Sequence, residues 1–277
     1  MLPLVLITAA ALWWGNSSIE TDAFIFSSAR LPNGFDGACI VQLSNLHGKA
    51  FSKNNERLYA AVEAARPDYI LITDDLVDRA TDNPVGYAAS VGAALSAIAP
   101  TCYVTGNHEW GHGPAMVERL KAALRESGVI VLSNEVLPWE RGGDTILLAG
   151  VDDPNGYADQ KTPAQLAADI YAEYGDPFWL LLAHRNNIFS GGCRLGAGLT
   201  LCGHAHGGIW RLPFTDGLID VTLALLPSFT SGFYHCMDEG CASAEVFVSR
   251  GFGNSPRLVP RLFNRPQVAV MTLKKAG

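Results

Sequence analysis

Five of the seven histidines follow directly on runs of apolar residues that read as strands: His47 in Asn45-Leu46-His47, His108 in Gly106-Asn107-His108-Glu109, His184, and the pair in His204-Ala205-His206. Side chains at strand ends protrude into the crevice where α/β proteins hold their ligands, and neutral imidazole is the commonest ligand for zinc-like ions. One histidine after a strand is ordinarily a packing or capping residue. Five in equivalent positions, joined by the acidic residues Asp75 and Asp78, call for a different explanation. A carboxylate can bridge two divalent ions held ~3.5 to 4 Å apart, the arrangement that activates water for in-line attack at phosphorus. Asn107 can add a carbonyl oxygen, and Gly106, Gly207 and Gly208 permit the sharp turns that would aim these groups at one point.

The elements that must position them alternate strand and helix through the first two thirds of the chain. Residues 19–26 alternate like a strand, and 38–44 and 68–73 are buried-strand runs. Between the last two, Leu58, Ala61, Val62 and Ala65 recur at helical spacing over 56–66 before Pro67 stops them. Further helices are expected near 86–98, 115–126 and 163–174, and strands at 102–105, 129–132, 145–150, 178–183 and 199–202. From Leu212 the helix signal fades, and 244–249 and 267–273 suggest strands joined by Gly/Pro-rich loops. No internal repeat or low-complexity linker divides the chain. The pattern predicts an α/β fold in one domain over 19–277, preceded by a distinct segment over 1–18.

That leading segment has an uncharged run from Leu2 to Trp14, shorter than the ~20 residues that cross a bilayer and without a basic flank. Its length suits a signal-peptide core. The Trp13-Trp14 pair suits the interfacial end of a membrane anchor. We expect an anchor or export signal and an extracytoplasmic domain. A net charge of -7 argues against nucleic acid as a partner. Six basic residues against Glu245 alone lie in the last 36 positions; they are read as a solvated face, with an anionic substrate or lipid surface as the alternative. The six cysteines have no zinc-site spacing; Cys39, Cys102 and Cys202 fall in apolar runs, and Cys236 and Cys241 could pair outside the cytoplasm.

Taken in order, Asn45 to His47, Asp74-Asp75-Leu76-Val77-Asp78, Gly106-Asn107-His108-Glu109, His184 and Gly203-His204-Ala205-His206 resemble the DxH, GDxxD, GNH[DE], lone His and GHxH blocks of the calcineurin-like metallophosphoesterases. The likeness spans nearly the whole chain and extends to the bacterial membrane-anchored YkuE-like and YaeI-like phosphodiesterase branch. It implies a four-layer sandwich of two mixed β-sheets flanked by helices. It also implies two divalent ions (Mn, Zn or Fe), one held by Asn45, His47, Asp75 and His206, the other by Asp75, Asn107, His184 and His204. His108 would act on the phosphoryl group or the leaving oxygen, with Asp78 supporting it. The activity implied is hydrolysis of a phosphodiester or pyrophosphate, on a small molecule or on a lipid or cell-envelope substrate that Trp210 and Phe214 would suit.

Two departures bear on that reading. Asn45 stands where the family has Asp, so the first metal site is expected to be weaker. Asp74 stands where the family has Gly; if the strand continued through it, its side chain would point away from that of Asp75. Ile209 and Gln267 replace a usual Gln and a usual Glu. The alternative is therefore a degenerate member that binds metal or a phosphorylated ligand with little turnover. A metallo-β-lactamase is excluded because Gly207 and Gly208 follow His206 where HxHxDH would continue. A serine hydrolase is excluded because no GxSxG occurs.

Overall fold

The computed structural model describes residues 2–188, 195–212, 215–220, 223–235, 244–254 and 259–277. In chain order the elements are α1 (Leu2–Ser17), β1 (Glu20–Ser28), β2 (Cys39–Leu43), α2 (Glu56–Ala64), β3 (Tyr69–Ile72), α3 (Pro84–Ser96), β4 (Thr101–Tyr103), α4 (Asn107–Trp110), α5 (Pro114–Glu126) and β5 (Ile130–Val131). They continue with β6 (Glu135–Arg141), β7 (Asp144–Gly150), α6 (Pro163–Tyr174), β8 (Trp179–Leu182), β9 (Leu199–Cys202), β10 (Trp210–Arg211), β11 (Gly217–Ile219), β12 (Gly232–His235), β13 (Glu245–Val248) and β14 (Gln267–Lys275).

The strands form two mixed six-stranded sheets, in the orders β1-β14-β2-β3-β4-β5 and β12-β13-β9-β8-β7-β6, with β10 and β11 as a separate pair. Alternation along the central strands builds the layers. Ile40, Leu71 and Cys102 point into the space between the sheets, where they meet Leu148, Leu180 and Leu201. Their neighbours Val41, Ile70 and Tyr103 point the other way, onto Leu58 and Val62 of α2, Val91 and Leu95 of α3 and Leu120 and Leu124 of α5. On the far side Leu147, Trp179 and Leu181 pack against Leu166 and Ile170 of α6. Each of these fully buried aliphatic side chains contributes roughly 1.5 to 3 kcal/mol. Helix α6 is started by a reciprocal cap: Thr162 Oγ1 accepts from the Gln165 N–H (3.2 Å), Gln165 Oε1 accepts from the Thr162 N–H (2.8 Å), and Pro163 follows. The four-layer sandwich expected from the resemblance is what forms.

Several features differ from the sequence reading. Strand β6 contains Pro138 and was not expected; it lies at a sheet edge and pairs only with β7, where a missing N–H is tolerated. Strand β14 inserts between β1 and β2, so the chain's last strand, parallel to β1 and antiparallel to β2, completes the first sheet. Of the C-terminal basic residues Lys274 and Lys275 are exposed, as a solvated face requires, but Arg250, Arg261 and Arg265 are engaged by the domain. Arg250 pairs with Glu20 and Asp22 at 2.7 and 2.6 Å, Arg261 is buried, and Arg265 lies over the Trp14 ring and reaches Ser18. Gln267 joins the same group, accepting from the Arg250 N–H and donating to Asp22. Arg257, Phe214 and the Cys236 and Cys241 pair lie outside the described residues.

The N-terminal run does form a helix. Its last turn is tied to the domain, because Asn16 Oδ1 accepts from the Arg261 N–H (2.7 Å) and from Asn254 Nδ2 (3.0 Å). Among the described residues no helix is long and apolar enough to cross a membrane.

Candidate metal centre

Five parallel strands deliver the predicted residues to one place. From the first sheet, β2 leads to Asn45 and His47, β3 to Asp74 and Asp75, and β4 to Asn107 and His108 in α4. From the second, β8 leads to His184 and β9 to His204 and His206. The turns that aim them are strained: Asn45, His47, Asp74, Asp75, His204 and His206 all have φ between 26° and 153°. Such conformations cost of order 1 to 3 kcal/mol each and gather at functional sites. Close approach also dictates Gly106, where a Cβ would lie 2.1 Å from Asp75 Oδ1.

Among the described residues Asp75 is common to the two groups that could hold an ion, His47, Asp75 and His108, and Asp75, His184 and His204. Its Oδ2 lies 3.7 Å from His47 Nε2 and 3.5 Å from His184 Nε2, while Oδ1 accepts from the His108 N–H at 2.9 Å. His206 joins the first group, with Nε2 3.2 Å from His47 Nε2. Asn107 joins the second, with Oδ1 2.6 Å from His184 Nε2. His204 Nδ1 is 2.9 Å from the same His184 nitrogen.

The donor set fits metal ions. His184 Nδ1 lies 2.7 Å from Asp74 Oδ2 and its Nε2 2.6 Å from Asn107 Oδ1; with the ring proton on Nδ1, the Nε2 lone pair faces that carbonyl. His206 donates from Nδ1 to the Gly253 carbonyl at 3.2 Å, so its Nε2 lone pair faces His47. In the Nδ1–H tautomer the His184 nitrogen and the Asn107 oxygen are two acceptors in contact, a contact that a cation among them would relieve. Burial pushes the His184 and His204 imidazoles down to about 3, His204 further by the neighbouring His184. Burial, then neighbouring histidines, hold His47 and His206 well below the ordinary range as well. All four are neutral, as ligands must be. In the metal-free chain burial raises the Asp75 carboxyl, reinforced by Glu109 and Asp74.

The supporting residues separate into those expected and those missed. His108 stands half-buried, its ring edge-on to His47 with centroids 4.5 Å apart; burial and then His184 lower its pKa, and Asp78 opposes them. Asp78 is held in its own turn, its Oδ1 accepting from the Ala80 N–H and from Thr81. Asn45 is oriented so that Nδ2 donates to Asp74 Oδ1 (2.9 Å) and Oδ1 accepts from the His204 N–H (3.2 Å), so both ends of its amide are engaged by the protein. Asp74 corrects the alternation argument: β3 ends at Ile72, the chain turns, and the Asp74 carboxylate points inward to Ser44, Asn45 and His184.

Glu109 was not given a role; it is fully buried, accepts from the Val77 and Gly106 N–H groups, and burial pushes it up to about 7. Asp153 was missed, although it too follows a strand, the signal used for the histidines. It makes a two-pronged pair with Arg185 at 2.7 and 3.1 Å beside His184.

A family model described as calcineurin-like phosphoesterase matches residues 40–208, which include every residue in the two candidate groups. Among curated proteins the chain is 28% identical to the uncharacterized metallophosphoesterase YkuE of Bacillus subtilis, covering 94% of this chain and 87% of that protein. It is 26% identical to the Bacillus subtilis metallophosphoesterase YkoQ, over 83% and 81% of the two chains. Among solved structures the NAD nucleotidase of Haemophilus influenzae superposes with a TM-score of 0.53 at 16% identity, covering 79% of this chain. The present chain spans only 45% of that protein's length. TT1561 of Thermus thermophilus superposes with a TM-score of 0.50 at 18% identity, over 78% and 90% of the two chains. Both structural likenesses concern the fold alone.

Proposed function

The chain belongs to the calcineurin-like phosphoesterase family, hydrolases acting on phosphoester bonds, and on that premise we propose that it cleaves a phosphodiester or pyrophosphate at a dinuclear metal site. The observation that carries this reading is Asp75 placed between two clusters of buried, neutral imidazoles whose ring nitrogens converge on its carboxyl group. His47, His206 and Asp75 would hold one ion, with Asn45 behind them in place of a charged ligand. Asp75, Asn107, His184 and His204 would hold the other. When bound, the pair supplies an activated water and neutralises charge on the phosphoryl oxygens.

The chain's own groups do the rest. The His108 N–H fixes Asp75, and the His108 ring, half-buried at the edge of the site, is placed to donate a proton to the leaving oxygen. Asp78 counters, without outweighing, the burial and the His184 ring that lower the His108 pKa. A cavity of about 280 Å³ beside His47, lined by Trp13, Asn16, Lys49 and Asn254, offers room for part of a substrate.

A second reading, ligand binding with little turnover, is favoured by the engagement of both ends of the Asn45 amide. One experiment decides between them. Protein loaded with Mn or Zn should hydrolyse bis(4-nitrophenyl) phosphate, stop on chelation and resume on reloading. Two bound ions with no turnover would leave the second reading standing.

The lipid or cell-envelope substrate and the membrane-anchored placement belong to the same proposal. What supports them is the charge-free α1, the exposed Trp13 side chain at the cavity beside His47, and the exposed Trp14 and Phe263 side chains at a second pocket. Cosedimentation with phosphatidylglycerol vesicles should retain the wild-type chain, and Trp13→Ser with Trp14→Ser should weaken partitioning by ~tenfold or more. Equal partitioning of the two proteins would refute a surface role for this face.

A further inference from the structure

Asp74 occupies a backbone position, φ 153°, that residues with a side chain rarely adopt, and it is fully buried. Its carboxylate nevertheless makes four connections. Oδ1 accepts from Ser44 Oγ (2.9 Å), from the Asn45 N–H (2.6 Å) and from Asn45 Nδ2 (2.9 Å). Oδ2 accepts from His184 Nδ1 (2.7 Å). The space is closed on the remaining side by Gly203, where a Cβ would lie 2.2 Å from Asp74 Oδ2. This is a built cradle around a buried carboxyl group that is itself outside both candidate metal groups.

We propose that Asp74 is a positioning residue which, coupled to Asn45, fixes His184 in its Nδ1–H tautomer and so aims the Nε2 lone pair at the space shared with Asp75 and Asn107. A carboxylate behind a histidine ligand sets the ring's orientation and raises its basicity, and losing such a partner typically costs 10- to 100-fold in metal affinity. The carboxyl group absent from position 45 is thereby present one layer back, behind the histidine of the other ion. The two positions are exclusive: an aspartate at 45 would put a second carboxylate about 2.9 Å from Asp74 Oδ1 in a dry environment, where two like charges cannot both persist. Asn45 is then the residue that Asp74 requires, and the departures at 45 and 74 are one change rather than two.

The inference rests on the metallophosphoesterase reading for its purpose, but its first readout is taken on the metal-free chain and stands or falls separately. Long-range ¹H–¹⁵N spectra of the metal-free protein should show His184 protonated at Nδ1 in the wild type. In Asp74→Gly, which removes the carboxylate and suits the backbone angle, Nε2–H should become the major form. Competition with a chelator should then show the more tightly bound Zn ion weakened by ~10- to 100-fold. Asn45→Asp alone should lower the melting temperature and metal affinity, and Asn45→Asp with Asp74→Gly should regain both. Should Asn45→Asp yield no folded protein while the double variant folds, the coupling is read from folding instead. An unchanged His184 tautomer in Asp74→Gly, or additive effects of the two substitutions, would overturn the proposal. Persistence of the tautomer change in a chain that hydrolyses no phosphoester would leave it intact and fault only the functional reading.

Discussion

An Asp75→Asn chain is expected to lose its ability to hold two ions, and its hydrolysis of an aryl phosphodiester should fall by about 10³-fold, ~4 kcal/mol of transition-state stabilisation. Asn is nearly isosteric with Asp, and its carbonyl can still accept from the His108 N–H, so the local shape should persist. What disappears is the charge shared by the two clusters. The effect on folding has the opposite sign. In the metal-free chain this carboxyl is fully buried, and both burial and the neighbouring Glu109 and Asp74 disfavour its ionised form. Metal-free Asp75→Asn should therefore melt at or above the wild-type temperature, whereas the metal-loaded variant should melt below the loaded wild type. A variant that keeps two ions and the wild-type rate would contradict the bridging role.

His108→Ala should separate proton donation from metal binding. His108 and His206 both lie close enough to His47 and Asp75 to complete the first cluster, yet only His206 is oriented by a carbonyl behind its other nitrogen. His108 stands half-buried, its pKa lowered by burial and then by His184, with Asp78 opposing them. Loss of a positioned general acid costs ~10² to 10⁴-fold on a substrate whose leaving group needs a proton. On a 4-nitrophenyl ester, whose leaving oxygen hardly needs one, the loss should shrink to roughly tenfold. Metal content should stay at the wild-type value in His108→Ala and fall in His206→Ala. Activity on an alkyl phosphoester that survives His108→Ala, or loss of an ion in that variant, would reassign the residue.

The histidine positions were legible because they share one physical rule. A side chain just after a parallel strand points into the cleft, and that rule places His47, His108, His184, His204 and His206 without any knowledge of how the sheets pack. The same rule, carried through the turn that follows β7, would have found Asp153, three residues past the end of that strand. Asp74 was misplaced because alternation holds only while the strand lasts. Strand β3 stops at Ile72, and the turn that follows gives Asp74 and Asp75 positive φ angles, which periodicity does not report.

Long-range pairing was the other gap. Nothing local to 267–275 indicates that this strand lies between β1 and β2, because the choice depends on which edges the remaining strands leave open. The role of Arg261 was hidden for the same reason. A basic residue in a basic tail reads as solvated, whereas here it is buried beside the site, donating to the Gly253 and Arg250 carbonyls, with burial lowering it to about 9.

The account turns on Asp75 joining two ions, and the direct measurement is the metal content of the purified chain after loading with Mn or Zn and removal of excess, made alongside Asp75→Asn. We predict two ions per wild-type chain, one leaving at lower chelator concentration because Asn45 brings no charge to its site, and fewer than two in the variant. A wild-type chain that holds no ion, or two that Asp75→Asn leaves in place, would contradict a dinuclear centre bridged by this carboxylate.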